Sequence, residues 1–250
     1  MDAYTGFAGV YDEFMNNVPY REWAAYLTSL FGEYGITSGL MLELGCGTGT
    51  MTEQMAAAGF DLIGIDSSED MLSEALEKKF ESGHDILYLC QDMREFELYG
   101  TVAAAYSVCD CLNYVTQYED LVQVFRLVNN YLDPKGLFIF DFNTACAYRD
   151  PLRQAPIVET QDGDTMIWEN FWEEESRQNE HRLTLFLEDD DGRYEKVEEL
   201  HVQKAWEPSE MKQALKEAGM EFVAAYEALT HTKPGESSTR IYFLARENGK

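Results

Sequence analysis

Met41-Leu42-Glu43-Leu44-Gly45-Cys46-Gly47-Thr48-Gly49 joins an apolar run to a glycine-rich turn, and a helical pattern follows from about Thr50 to Ala58. Leu40 to Leu44 is short and apolar enough for a buried strand, so the segment reads strand, turn, helix. Glycine at such a turn lets the backbone pass close to a bound nucleoside, where a Cβ would collide. The helix that follows presents free N–H groups to an anionic end of the same ligand. A dinucleotide fingerprint would need glycine at position 50, which is Thr50, so that reading does not fit.

The same alternation continues outward. Phe60 to Ile65 is a second strand closing on Asp66, where a carboxylate can accept hydrogen bonds from both hydroxyls of a ribose. Ser67 or Ser68 supplies the cap for a helix carrying Met71, Leu72, Ala75 and Leu76, so Asp66 is free for a ligand. Ile86 to Cys90 is a third strand ending near Asp92, placed to meet an adenine amino group, with the Met93 backbone N–H beside it. Met71 suits either the adenine face or the core. Val102 to Val108 is a fourth strand; Leu121 to Leu132 has helical period; Leu137 to Phe140 is a fifth strand after the turn Asp133-Pro134-Lys135-Gly136. Strands and helices alternating at this spacing predict a mostly parallel sheet covered on both faces.

Flanking segments have a different grammar. Trp23, Tyr26, Leu27, Leu30, Phe31 and Tyr34 recur at helical spacing, and residues 1–35 are expected to form a helical flap. Between Ile157 and Ala205 the helical period gives way to alternation, with hairpin turns at Gln161-Asp162-Gly163-Asp164 and Asp189-Asp190-Asp191-Gly192. Residues 146–205 therefore read as an antiparallel β insertion in a domain made of 1–145 and 206–250. Its exposed aromatic strands make a homodimer through the insertion an expectation. A helix from Pro208 to Gly219 and two strands, Phe222–Leu229 and Arg240–Ala245, complete the chain.

Acids outnumber Lys and Arg by 46 to 19, a formal charge of −27. Such a surface repels phosphate backbones and anionic bilayers, which argues against nucleic-acid or membrane partners. The five cysteines show neither zinc spacing nor an even count, and His84, His181 and His231 show no ligand spacing, so no metal is expected. No basic segment followed by an apolar run opens the chain at Met1-Asp2-Ala3-Tyr4, and no stretch is apolar enough to span a bilayer. A reducing cytoplasm is the expected setting.

Leu42-Glu43-Leu44-Gly45-Cys46-Gly47-Thr48-Gly49 closely resembles the first motif of the class I S-adenosylmethionine-dependent methyltransferases; Gly64-Ile65-Asp66-Ser67-Ser68 is similar to their second motif, and Gln91-Asp92-Met93 to their adenine motif. Gly6-Phe7-Ala8-Gly9-Val10-Tyr11-Asp12 and Asp110-x-x-Asn113-Tyr114 resemble a bacterial subgroup of small methyltransferases in which the segment around Tyr11 folds over the cofactor. The resemblance implies a Rossmann-like α/β fold of strand order 3-2-1-4-5-7-6, the last strand antiparallel, with the β insertion over the acceptor. It implies S-adenosylmethionine as cofactor, S-adenosylhomocysteine as product, and a site built from Tyr11, Glu43, Gly45, Cys46, Gly47, Gly49, Asp66, Ser67, Met71, Asp92 and Met93.

A sulfonium is already an activated donor, so alignment and exclusion of water are the main tasks. A base is required only when the acceptor arrives protonated. Asp110, Asn113 and Tyr114, after the fourth strand, are the expected acceptor-side residues, with helix capping and packing as the alternative for Asn113 and Tyr114. Tyr4 and Tyr11 can face a cation with their rings. His201 shares a strand face with Glu199 and Gln203 and is a candidate base, with an exposed edge-strand histidine as the alternative. The Asn/Asp-Pro-Pro-aromatic motif of base-methylating relatives is absent from Cys109-Asp110-Cys111-Leu112. A small-molecule acceptor methylated at N or O is expected; a basic protein segment as acceptor, and a non-catalytic interaction protein, are the alternatives.

Overall fold

The structure is a computed structural model that describes Tyr4, residues 6–189 and residues 191–250. Met1, Asp2, Ala3 and Asp190, on which the reading of the N-terminus and part of one turn rested, lie outside the described residues. Helices α1 (Tyr11–Phe14) and α2 (Tyr20–Glu33) precede β1 (Leu40–Leu44), α3 (Thr50–Ala57), β2 (Asp61–Asp66), α4 (Glu69–Ser82) and β3 (Ile86–Cys90). Then come β4 (Val102–Ser107), a 3-10 turn at Cys111–Tyr114, α5 (Tyr118–Tyr131) and β5 (Leu132–Asn143). Short helices α6 (Ala145–Tyr148) and α7 (Pro151–Gln154) lead into β6 (Ile157–Gln161), β7 (Asp164–Glu173), β8 (Gln178–Glu188) and β9 (Tyr194–Lys204). The chain closes with α8 (Pro208–Glu217), β10 (Glu221–Glu227) and β11 (Arg240–Arg246).

Two sheets result. The larger has the order β10-β11-β5-β4-β1-β2-β3, the expected 3-2-1-4-5-7-6 read from the other edge, with β11 antiparallel to β5. Because successive side chains point to opposite faces, Leu42, Leu44 and Ile63 pack with α5 and α8 on one face. Met41, Leu62 and Tyr106 pack with α2 and α3 on the other. The expected turn at 133–136 survives as an irregularity inside β5: Lys135 has φ 67°, and the pairing jumps from Val102 opposite Leu132 to Ala104 opposite Leu137.

The insertion is a four-stranded antiparallel sheet, β6-β7-β8-β9. Its first hairpin places Gln161 opposite Asp164, with the two intervening residues, Asp162 and Gly163, at positive φ, the twist that a two-residue hairpin requires. The inner face has two halves. Met166, Leu183, Leu185 and Val197 bury Phe7 and Phe14 of the N-terminal segment, whereas Asn179, His181, Glu199, His201 and Gln203 are buried polar groups.

The expected flap of residues 1–35 is therefore two things. The segment through α1 is glued to the insertion, while α2 buries Ala24, Leu27, Leu30 and Phe31 against the main sheet and is part of its helical layer. Among the described residues, no helix is long and apolar enough to cross a membrane, and no cluster of His, Cys, Asp and Glu could hold a metal ion.

Candidate active site

At the carboxyl end of β1 the chain turns through Gly45, Gly47 and Gly49, all at positive φ. A Cβ on Gly45 would come within 2.7 Å of Cys111 Sγ, so bare backbone there lets the loop after β4 approach. Gly47 faces open space and donates its N–H to Asp66 Oδ2 at 2.9 Å. The other Asp66 oxygen accepts the Ser68 N–H at 2.9 Å, while Ser68 Oγ caps α4 through the Met71 N–H. Burial raises the Asp66 pKa, and the backbone donors on Ser68, Gly47 and Ser67 offset part of that rise.

A cavity of roughly 920 Å³, mouth included, opens beside this loop. Of the expected cofactor residues it is lined by Tyr11, Glu43, Gly45, Cys46, Gly47, Asp66, Ser67, Met71 and Met93. Gly49 is not among the lining residues; a Cβ there would strike the Tyr88 hydroxyl and Ala75, so it serves the packing of the turn against α4 and β3. Asp92 lines an adjoining crevice that shares Gly45, Asp66, Ser67 and Met93 with the cavity. Its carboxylate is gripped by Arg94, whose Nε reaches Oδ1 at 2.9 Å; these bonds lower its pKa against the opposing effect of burial.

The N-terminal segment closes the cavity. Asp12 on α1 accepts the Thr48 and Thr50 hydroxyls at 2.8 and 3.1 Å and pairs with Lys78, which also binds the Thr48 carbonyl. Glu199 holds the same segment from the insertion side, accepting the backbone N–H groups of Tyr4, Gly6 and Phe7 at 2.8, 2.7 and 2.9 Å.

A second chamber, roughly 1190 Å³ with its mouth, lies under the insertion. Tyr4, Tyr11, Tyr20, Cys109 and Tyr114 line both spaces and form the passage between them. Beyond it stand Trp23, Tyr148, Trp168, Asn170, Asn179, His181, Gln203, Asp110 and Arg240. Cys109 and Asp110 adopt φ of 62° and 53°, a conformation that costs about 1–3 kcal/mol per residue and must be enforced by its surroundings. The enforcement is a buried ionic knot: Asp141 Oδ1 accepts the Asp110 N–H at 2.8 Å, and Arg240 bridges Asp141 and Asp110.

The four expected acceptor-side residues fare differently. Tyr114 stands in the passage. Asp110 lines the chamber, tied to Arg240 and to Gln203 Nε2 at 2.7 Å. Asn113 is fully buried; its amide exchanges bonds with the Asn143 backbone and donates to the Lys204 carbonyl at 2.7 Å, which makes it a staple between β5 and β9. His201 sits on the edge strand yet is only 2% exposed, enclosed by Glu199, Tyr114 and Tyr4. His181, which carried no role in the sequence reading, is the chamber-lining histidine. It lies opposite His201 in register and is bonded to Gln203 Oε1 at 2.8 Å and to Trp168 Nε1 at 3.0 Å. Burial lowers its pKa, and the Trp168 indole donates to its Nδ1, which acts as an acceptor.

A seven-stranded doubly wound sheet whose first turn faces a carboxylate at the end of the neighbouring strand defines a Rossmann-like nucleoside-binding enzyme. Residues 41–136 match the methyltransferase domain family. Over 246 residues, 98% of this chain and 97% of the relative, the chain is 31% identical to the putative methyltransferase YqeM of Bacillus subtilis (strain 168). The crystal structure of an S-adenosylmethionine-dependent methyltransferase from Clostridium acetobutylicum ATCC 824 superposes with a TM-score of 0.86 at 25% identity, over 99% of this chain and 100% of that one. The sugar N-methyltransferase KedS8 from Streptoalloteichus sp ATCC 53650 shares the fold, with a TM-score of 0.76 at 17% identity over 96% and 93% of the two chains. The chain belongs to the class I S-adenosylmethionine-dependent methyltransferases, and S-adenosylmethionine is its cofactor.

The residues present fit that group. Gly47, where a Cβ would meet nothing, leaves open space against the backbone of the loop, Asp66 offers a carboxylate for ribose hydroxyls, and Tyr4, Tyr11 and Tyr20 line the cavity with rings whose faces attract a cation. When bound, the cofactor supplies a methyl group on a positively charged sulfur.

Proposed function

We propose that the enzyme methylates an amino or hydroxyl group of a polar small molecule held in the chamber under the insertion. The observation that carries this reading is the lining of that chamber: aromatic rings (Trp23, Tyr148, Trp168) interleaved with amides (Asn170, Asn179, Gln203), roofed by β7–β9 and opening onto the cofactor cavity between four tyrosines. Flat apolar faces with fixed polar groups between them suit a hydroxylated ring. An inward-facing chamber gives an extended polypeptide little to lie along. The likeness in fold to the sugar N-methyltransferase KedS8 supports an amino sugar as the first class to test.

The test is S-adenosylhomocysteine release against a panel of amino sugars, neutral sugars, phenols and basic peptides. Turnover with an amino sugar or related polyol supports the proposal; turnover with peptides alone overturns it. Cofactor binding is checked separately. Asp66→Ala is expected to weaken S-adenosylmethionine binding by about 1–3 kcal/mol, the cost of lost hydrogen bonds to a charged partner, measured by calorimetry. Full affinity in a folded variant would remove Asp66 from the cofactor site.

A further inference from the structure

Four side chains from three separated parts of the chain meet at the passage, and their hydrogen-bond directions are fixed in series. Glu199 is buried on β9. Burial would raise its pKa, but the donors on His201, Tyr4, Phe7 and Gly6 outweigh that and hold it below the usual carboxylate range. As an ionised carboxylate it can only accept, so the His201 Nε2 that lies 2.9 Å away carries a proton toward it. A neutral imidazole protonated at Nε2 has a bare Nδ1, which lies 3.3 Å from the Tyr114 hydroxyl. With the ring in that form, Tyr114 donates to His201, which leaves its oxygen as acceptor for the Tyr4 hydroxyl at 2.5 Å. That same oxygen belongs to a residue lining both the cofactor cavity and the chamber.

We infer that Tyr114, His201 and Glu199 form a proton relay that deprotonates the acceptor at the point of methyl transfer. Tyr114 is the catalytic residue, touching the acceptor; His201 and Glu199 act through it as positioning residues. The inference rests on the reading of the chamber as the acceptor site. In the step, the acceptor lone pair forms the new bond to carbon, and the electrons of the breaking carbon–sulfur bond remain on sulfur. The acceptor's proton passes to the Tyr114 oxygen as Tyr114 hands its own to His201 Nδ1, and Glu199 stabilises the imidazolium formed, as the carboxylate does in a nucleophile–histidine–carboxylate triad. Burial and the neighbouring Asp110 and Cys111 push the Tyr114 phenol upward in pKa, past the bonds that lower it. Tyr114 is thus a conduit that stays neutral, and no standing phenolate is needed. The groups facing His201 are Glu199 on its own strand, His181 opposite on β8, Tyr114 on the turn after β4, and Tyr4.

The tautomer is read directly. In histidine-¹⁵N-labelled protein with S-adenosylhomocysteine bound, the four histidines are resolved by nitrogen chemical shift, and His201→Gln assigns its own signal. The expected result is His201 protonated at Nε2 and bare at Nδ1 near pH 7.5, with the Nδ1 resonance displaced in Tyr114→Phe. A proton on Nδ1, or a resonance indifferent to Tyr114→Phe, overturns the relay. Rates with the amino-sugar panel give the second readout. Tyr114→Phe and His201→Gln are each expected to lower kcat by about 100-fold or more, with KM for S-adenosylmethionine held within about threefold. The wild-type rise of kcat with pH should be absent from His201→Gln, and an undiminished kcat in that variant would also overturn the relay. Absence of turnover with every panel member would strike the acceptor reading, while the nitrogen spectrum still decides the relay.

Discussion

Arg240→Met is expected to destabilise the protein by about 3–5 kcal/mol at neutral pH, the cost of leaving a buried carboxylate without its partner. Arg240 stands at the first position of β11, where it bridges Asp141, whose side chain is 0% exposed, and Asp110. Methionine keeps much of the side-chain length and its contact with the Trp23 ring, over which the guanidinium now lies 5.4 Å from the centroid, so the loss is one of charge more than of volume. In a chain of this size a deficit of that magnitude lowers Tm by roughly 10 °C. Burial raises the Asp141 pKa even with Arg240 in place, and without the arginine it rises further. The deficit should therefore shrink in acid, where Asp141 is neutral, and Asp141→Asn should recover part of it at pH 7. Thermal melts of the single and double variants check this, and a deficit below about 1 kcal/mol at neutral pH would show the knot to be solvated. Because Arg240 also holds the left-handed turn at Cys109 and Asp110, the variant should misplace the passage between the two cavities even where it stays folded.

The main sheet was legible because its signals are local. An apolar run followed by Gly45, Gly47 and Gly49 dictates strand and turn within nine residues, with the helix next, and the strands that follow it end on polar residues such as Asp66 and Ser107. Glu43, Gly45, Cys46, Gly47, Asp66 and Ser67 line one cavity because they sit at the ends of two neighbouring strands. The missing Cβ atoms of Gly45 and Gly49 accommodate Cys111 and Tyr88, whereas Gly47 faces open space, a distinction that glycine spacing does not carry. The chamber under the insertion was less legible because it is assembled from distant pairs. His181 could have been found by counting outward from the turn near Gly192: Glu188 pairs with Tyr194, and the same register puts His181 opposite His201. The partnership of Glu199 with the backbone of Tyr4, Gly6 and Phe7 joins positions 192 to 195 residues apart, and no periodicity announces it. Alternation put Glu199, His201 and Gln203 on one face; that the N-terminal segment covers that face is a fact of tertiary packing, and it turns an edge-strand histidine into a buried one.

Glu43→Gln is expected to remove most of a pH dependence in stability that the parent protein shows between about pH 4.5 and 8. Glu43 is 2% exposed at the base of the cofactor cavity. Burial pushes its pKa up to about 8, although the hydroxyls of Thr52 and Tyr106, at 2.5 and 2.9 Å, favour the charged form. A carboxyl group with a higher pKa in the folded state binds its proton more tightly there than in the unfolded chain. The resulting stability is complete below the unfolded value, near 4.5, and is lost as pH rises through the folded one. At about 1.4 kcal/mol per pH unit, the loss amounts to roughly 5 kcal/mol across that window. Glutamine has the same shape and can accept the same two hydroxyls through its amide oxygen, but it has no proton to lose. Asp66 is raised in the same direction and is common to both proteins, so the difference between them isolates Glu43. Urea unfolding at pH 5, 6, 7 and 8 should show the parent falling away from the variant as pH increases. Parallel curves would place an ionised carboxylate at Glu43 throughout. A cation held in the cavity favours the ionised form, so S-adenosylmethionine should bind the parent with release of a proton on the acid side of pH 8 and bind Glu43→Gln without it. Calorimetry in buffers of different ionisation enthalpy measures that difference, and equal proton release from the two proteins would assign it to another group.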